Sequence, residues 1–223
     1  NYMDRQMLST MRPSMQVDIA ELESAANFGR LMAIFLWIYG FMSPVAGIIA
    51  DKLNRKWLIT GSLAVWSGVT LAMGYAETFE QLYVLRAIMG VSEALYIPAG
   101  LSLIADYHSS KTRSLAIGIH MTGLYMGQAL GGFGATIADR FSWETAFTSF
   151  GAIGIFYSLV LVFFLKEKKA VLPPPTSASA TNIAIPKTAF FKGIGLLFSN
   201  ISFWIILFYF TVPSLPGWAT KNW

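Results

Sequence analysis

Four charged residues lie in apolar stretches of the chain, and their types suit anion binding and proton exchange. Asp4 and Arg5 stand near the start, directly before apolar residues. Arg86 and Glu93 are seven residues apart, so a helix places both on nearly one face. A charge at the centre of a spanning helix costs roughly 2.5–3.5 kcal/mol. We therefore expect all four to face a bundle interior and to mark a substrate or proton path.

The arginines and the carboxylates offer different chemistry. Arg5 stays charged, and its planar fork suits a carboxylate or a phosphate. Asp4 and Glu93 are the acidic residues placed to titrate within the predicted spans, so they are the candidates for proton coupling. The sequence offers Glu93 no nearby cation, since Arg86 is about 10 Å away along a helix. One alternative is a buried ion pair that only fixes the register of the helices.

The composition indicates an integral membrane protein. Hydrophobic residues make up 55% of the 223 residues and charged residues 13%, whereas a soluble domain carries roughly 25% charged residues. The absence of cysteine excludes disulfides and thiolate metal sites. The net charge of +4 does not indicate nucleic-acid binding, because the basic residues fall mostly in short loops. The sequence shows no nucleotide loop, metal cluster or catalytic triad, so we expect neither enzymatic activity nor a cofactor.

Seven apolar segments separated by short loops predict an all-helical protein with six spanning helices, the first of them truncated, and the start of a seventh. The predicted helices are residues 1–17, 28–50, 57–75, 81–105, 114–138, 145–165 and 201–223. We predict a six-helix bundle over residues 1–166, a cytoplasmic linker over 167–200 and the start of a second bundle over 201–223. Within the linker, residues 187–200 could form a helix on the membrane surface. The chain begins inside a helix, so we interpret it as a fragment at both ends.

Basic residues concentrate in the loops after the second, fourth and sixth predicted helices. They are Lys52, Arg55, Lys56, Lys111, Arg113, Lys166, Lys168 and Lys169. The positive-inside rule places these loops in the cytoplasm. We therefore expect a multi-pass protein of the bacterial cytoplasmic (inner) membrane whose first helix runs outward.

The loop between the second and third helices carries the motif GIIADKLNRK over residues 47–56. Gly47 permits close helix approach, Asp51 can cap a helix start, and Asn54 lies where a tight turn favours positive φ. The motif resembles the loop signature of the major facilitator superfamily, which usually has glycine in place of Asn54. In that family the loop latches the inner gate with an acidic residue that ends the fourth helix. The resemblance implies an inner-gate set of Gly47, Asp51, Lys52, Arg55, Lys56 and Asp106.

Three further segments resemble the anion:cation symporter branch of that superfamily, which includes sugar-acid and organic-anion transporters. They are NYMDRQMLS, RAIMGVSEA and SLPGWATKNW. In proton-coupled sugar-acid members, the positions that match Asp4, Arg5, Arg86 and Glu93 carry coupling and substrate contact. The resemblance therefore assigns coupling to Asp4 and Glu93, and substrate binding to Arg5 and Arg86.

Tyr39 and Gln128 complete the substrate site that the resemblance implies. Tyr39 matches a tyrosine that contacts the sugar acid. Those members carry a glutamine where this chain has Leu124, and Gln128 lies one turn further on the same face. Tyr2, Trp37 and His120 are weaker candidates for the cavity wall, since such side chains usually pack in the core or against lipid.

We expect a major facilitator fold with 3+3 inverted repeats, working as a monomeric secondary transporter by alternating access. Its predicted partners are a small organic anion such as a hexuronate or aldonate, protons and the lipid bilayer, without nucleic acid or metal. Two alternatives remain open. NYMDR and the fourth-helix glutamate also resemble spinster-like lipid transporters, and a membrane sensor that keeps the fold without transporting would carry the same residues.

Overall fold

The computed structural model describes residues 2–167 and 190–222, and all regular elements among them are helical. This confirms the predicted all-α class. One compact unit comprises Asn1–Lys169 and another comprises Ala170–Trp223. The first unit contains α1 (Tyr2–Thr10), α2 (Arg12–Asp18), a 3₁₀ helix (Ala20–Glu23), α3 (Ala25–Lys52), α4 (Arg55–Met73), α5 (Phe79–Tyr107), α6 (Ser110–Gly131), α7 (Gly134–Arg140) and α8 (Trp143–Phe164). The second contains α9 (Phe190–Ser199) and α10 (Ile201–Asn222).

The first and fifth predicted helices are each broken in two. Pro13 lies in the first turn of α2, where a helix tolerates a residue without a backbone N–H. The same missing N–H prevents Pro13 from continuing α1. The fifth predicted helix divides at Gly132 and Phe133, between α6 and α7. The Thr10 hydroxyl donates to the Gly131 carbonyl at 3.2 Å, so one hydrogen bond joins the two breaks.

Pairs of long helices pack closely within the first unit. α3 packs against α5, α4 against α5 and α8, and α1 against α6. Glycines permit two of these contacts: a Cβ on Gly90 would lie 2.8 Å from the Phe35 carbonyl oxygen, and one on Gly131 would lie 2.6 Å from the Met3 carbonyl oxygen. Not every glycine of α6 has this role, because a Cβ on Gly118 would meet no described residue within 4 Å.

Three helices in the described part of the chain are long and apolar enough to cross a membrane by length and composition, namely α3, α5 and α8. α4 has 19 residues, which is also within the spanning range of about 17–25. α4 is more polar because hydroxyl residues lie on its buried side, among them Thr60, Ser62 and Thr70, and these donate to carbonyls of their own helix. Such internal hydrogen bonds satisfy hydroxyl groups away from water.

The predicted linker falls largely on residues 168–189, which lie outside the described residues, as do Lys168 and Lys169. The predicted surface segment, residues 187–200, contains the helix α9, Phe190–Ser199. In the second unit, the Trp204 Nε1 donates to the Phe198 carbonyl at 2.8 Å. This hydrogen bond ties the start of α10 to the end of α9.

Gly151→Ala should destabilise the contact between α8 and α4. A Cβ on Gly151 would lie 2.5 Å from Leu71 Cβ and 2.6 Å from Leu71 Cα, so the backbone of α4 must move. Overpacking of this kind costs roughly 1–3 kcal/mol. We expect the thermal unfolding midpoint of the full-length protein in detergent to fall, while Gly118→Ala leaves it unchanged or higher. An unchanged midpoint for Gly151→Ala would show that the two helices separate easily.

Candidate functional site

Arg5 on α1 and Glu93 on α5 form an ion pair inside the first unit. Arg5 Nη2 donates to Glu93 Oε2 at 2.6 Å, and Arg5 Nε donates to the same oxygen at 3.2 Å. The Glu93 side chain has no exposed surface, and Arg5 is 14% exposed. The expectation that Glu93 has no cation nearby is therefore wrong. Its partner comes from a helix that is distant in sequence, where spacing along one helix gives no information.

Three aromatic rings surround the Arg5 guanidinium. Its central carbon lies 4.3 Å from the centroid of Phe35, 5.0 Å from that of Tyr2 and 5.2 Å from that of Tyr39. Such contacts stabilise a guanidinium through the negative face of the ring. Phe35 and Tyr39 also stack on each other at 5.9 Å, so α3 presents them as one surface. Trp37 differs from them because it is 64% exposed.

Arg86 is buried beside the same ring with weak hydrogen-bond partners. It is 1% exposed, and its guanidinium lies 4.5 Å from the Phe35 centroid. Its Nη atoms donate to Met89 Sδ at 3.5 Å and to Met32 Sδ at 4.0 Å. Its Nε has no hydrogen-bond partner among the described residues. Thioethers are weak acceptors, so the buried Arg86 guanidinium has only weak hydrogen bonds.

The other predicted site residues occupy different places. Asp4 is buried on α1 next to Arg5 in sequence. Gln128 is half-buried on α6, the helix that packs against α1, and its side chain makes no hydrogen bond within the described residues. His120 lies 5.9 Å from the Tyr96 ring, and its buried Nε2 has no hydrogen-bond partner in the described part of the chain. The structure thus gathers Arg5, Tyr39, Arg86 and Glu93 around Phe35, whereas Gln128 and His120 are not among the contacts of that group.

Sequence reasoning missed Phe35, Met32 and Met89 as neighbours of the charged residues. A signal for Phe35 was present, because it lies four residues before Tyr39 and therefore on the same helix face. The thioether contacts of Arg86 left no comparable signal. Methionine is common in apolar helices, and its spacing does not distinguish a cation contact from ordinary packing.

The predicted inner-gate residues lie where α3, α4 and α5 end or begin. Arg55 at the start of α4 forms an ion pair with Asp106 near the end of α5. The Arg55 backbone N–H also donates to Glu167 Oε1 at 3.2 Å. The Tyr107 hydroxyl donates to the Lys166 carbonyl at 2.8 Å, which holds the segment after α8 against this region.

Two expectations for the motif's local geometry are wrong, those for Asn54 and Asp51. Asn54 has φ −63°, and its side chain accepts from the Trp57 N–H at 3.2 Å, because it is the N-cap of α4. Asp51 is exposed in the last turn of α3 and so caps no helix start. A Cβ on Gly47 would meet nothing within 4 Å in the described residues. Lys52 is exposed, and Lys56 is half-buried over the Trp57 ring at 5.4 Å.

Known proteins resemble this chain over nearly its whole length. The Major Facilitator Superfamily profile matches residues 1–219. Protein spinster homolog 1 of Homo sapiens is 30% identical over 98% of this chain and 42% of its own length. The hexuronate transporter of Bacillus subtilis (strain 168) is 27% identical over 94% of this chain and 51% of its own length.

A solved structure agrees with the sequence matches. It is a bacterial homolog of the human lysosomal transporter spinster, crystallised in an inward-facing and unoccupied conformation. It matches with a TM-score of 0.69 and 25% identity, over 92% of this chain and 47% of that chain. The chain therefore spans about half the length of the relatives that it matches.

Proposed function

The chain belongs to the major facilitator superfamily, and from this premise we propose that the complete protein is a secondary transporter of a small organic anion, coupled to protons. Its matched relatives include transporters and not enzymes. The observation that carries the proposal is the buried ion pair of Arg5 and Glu93, which joins α1 to α5. Ionisable groups at such depth in membrane proteins mark substrate and proton paths by default.

Charge balance explains why an anion and a proton should move together. Arg5, Arg86, Asp4 and Glu93 are two cations and two carboxylates, so the group is neutral when all four are ionised. An anion alone adds a net negative charge to a buried site, and a proton alone adds a positive one. Binding both restores neutrality, which avoids the cost of an uncompensated buried charge. This cost opposes the conformational change of the carrier when only the anion or only the proton is bound.

The ion pair also gives the two ligands a shared contact. An anion that binds Arg5 competes with Glu93 for the same N–H donors. A proton on Glu93 removes the charge that holds Arg5, so it frees those donors for the anion. Each ligand then strengthens the binding of the other by the same factor. When both leave, the pair of Arg5 and Glu93 forms again, and the empty carrier can return.

A sugar acid is the anion class that we propose. The similarity to the hexuronate transporter supports it, and so does Tyr39, whose phenol lies beside Arg5 and can donate to or accept from a hydroxyl. Asp4 is proposed as the second coupling residue, and Arg86 and Gln128 as substrate contacts. We place the protein in a bacterial inner membrane as a monomer.

A lipid or lysolipid carrier is the second candidate, because the chain is 30% identical to protein spinster homolog 1 and shares the fold of a spinster homolog. The test is counterflow of radiolabelled glucuronate in proteoliposomes of the full-length protein. We expect unlabelled glucuronate, galacturonate or gluconate to compete, and a lysophospholipid below its micellar concentration not to compete. Competition by the lysophospholipid alone would favour the second candidate, and binding without counterflow would indicate a sensor.

The inner-gate set is proposed to hold the cytoplasmic side closed during part of the cycle. Asp106→Asn removes the ion pair with Arg55, and Asp51→Ala removes an exposed charge of the same region. We expect each variant to lower the counterflow rate by roughly three- to tenfold, the effect of about 1 kcal/mol on a barrier. Substrate affinity should stay within a few fold, and Asp139→Asn, at the opposite face, is the control. A large loss of affinity with a normal rate would contradict the gate assignment.

A further inference from the structure

An apolar groove lies between α4 and α5. It has a volume of about 550 Å³, and its walls include Trp57 and Val65 on α4 and Ile88 and Leu95 on α5. Each helix contributes roughly 10–12 Å of its length to these walls. An elongated apolar groove of this kind fits a hydrocarbon chain better than a polar ligand.

Small residues leave the groove open along its length. A Cβ added to Gly61 would meet nothing within 4 Å, so no side chain of the described residues fills this part. The hydroxyl groups of the lining serines already donate hydrogen bonds within their own helices. Ser62 donates to the Ile59 carbonyl at 3.1 Å, and Ser92 donates to the Met89 carbonyl at 2.9 Å. The groove therefore offers packing space and no free hydroxyl hydrogen.

The groove lies on the side of α5 that faces away from the charged site. Ile88 and Leu95 are turned by roughly 140–160° from Glu93 around the helix, at 3.6 residues per turn. Val65 is 50% exposed and Ile88 is 43% exposed, so the groove opens at the surface of the first unit.

The positively charged side chain of Lys56 lies at one end of the groove. Lys56 Nζ lies 5.4 Å from the ring of Trp57, which lines the groove and is 59% exposed. Both residues are in the first turn of α4, at the face where basic residues concentrate. Tryptophan and lysine at this depth anchor to the bilayer interface. A basic site beside a groove between spanning helices suits an anionic lipid headgroup.

We propose that this groove binds one acyl chain of an anionic phospholipid from the cytoplasmic leaflet, with Lys56 contacting the headgroup phosphate. The apolar walls favour an acyl chain, and the ammonium group of Lys56 favours an anionic headgroup. This site is separate from the Arg5/Glu93 pair, and its occupant is a component of the surrounding bilayer rather than the transported anion.

Native mass spectrometry of the full-length protein in detergent tests the chain-binding part. The probes are phosphatidylglycerol and phosphatidylcholine with identical acyl chains. Gly61→Leu fills the groove, and we expect it to retain at least about fivefold less phosphatidylglycerol than the unaltered protein. Gly68→Leu is the matched control, because a Cβ there also meets none of the described residues within 4 Å and Gly68 is not in the groove walls. Equal retention by both variants would overturn the proposal.

Lys56→Gln tests the headgroup part, with Lys111→Gln as the control for loss of one cytoplasmic charge. We expect Lys56→Gln to reduce the preference for phosphatidylglycerol about fivefold, as loss of about 1 kcal/mol implies, and Lys111→Gln to keep it. An unchanged preference would overturn the assignment of Lys56. If Gly61→Leu instead reduces only a dimer population, the occupant is a second copy and the proposal is wrong. Should that variant elute as an aggregate, Gly61→Ala gives the same comparison with a smaller side chain.

Discussion

Glu93→Gln should abolish accumulation of the anion by a pH gradient while anion exchange across the membrane continues. Glutamine keeps the shape of the side chain and an oxygen that can accept from Arg5, but it cannot take up or release a proton. The variant resembles the protonated carrier permanently, so the donors of Arg5 stay available to the anion. Exchange needs only the movement of the loaded carrier, whereas accumulation also needs proton release on the inner side.

The measurement pairs two assays on the same proteoliposomes of the full-length protein: uptake driven by a pH gradient, and counterflow. Glu80→Gln is the matched control, because Glu80 is an exposed carboxylate in the first turn of the same helix. It should leave both activities unchanged. If Glu93→Gln loses both activities, Glu93 holds substrate or structure. If it keeps both, coupling belongs to Asp4 or to the second bundle.

Arg5→Lys should reduce anion affinity at least about 30-fold although it keeps the positive charge. Arg5 presents Nε and Nη2 together to one carboxylate oxygen, and its flat guanidinium fits among the rings of Phe35, Tyr2 and Tyr39. A lysine ammonium is a compact point charge without that planar face. Loss of one hydrogen bond to a charged group and of part of the stacking corresponds to about 2 kcal/mol or more.

Equilibrium binding to the purified full-length protein measures this effect, with Arg30→Lys as the control at an exposed position of α3. The control should bind the anion with normal affinity. Near-normal binding by Arg5→Lys would assign Arg5 a structural role and move the anion site elsewhere, with Arg86 as the next candidate. Size-exclusion chromatography of both variants separates a loss of binding from a loss of fold.

The helices could be predicted because apolar runs between charged loops dominate this sequence. The breaks in them were harder to predict. Pro13 carried a signal for the first break, since proline cannot continue a helix through its own N–H. The break at Gly132 lies beside a close contact of α6 with α1, where a Cβ on Gly131 would lie 2.6 Å from the Met3 carbonyl oxygen. That contact is tertiary and leaves little trace in local sequence.

The residues of the charged site could be predicted from the sequence, but the contacts between them could not. The cost of isolated charges in apolar helices indicates that Arg5, Arg86 and Glu93 are buried, and the structure buries Arg86 and Glu93 almost completely. Helix periodicity relates residues within one helix, so it could not show that Arg5 reaches Glu93, 88 residues away. The expected turn at Asn54 was wrong for another reason: asparagine suits both a positive φ and a helix N-cap, and α4 begins there.

The central claim is that an anion and a proton replace the contact between Arg5 and Glu93 together. Isothermal titration of the anion into the full-length protein, in two buffers of different ionisation enthalpy near neutral pH, measures the protons taken up on binding. The account predicts about one proton per bound anion for the unaltered protein and none for Glu93→Gln. Anion binding without proton uptake by the unaltered protein, or equal uptake by Glu93→Gln, would contradict it.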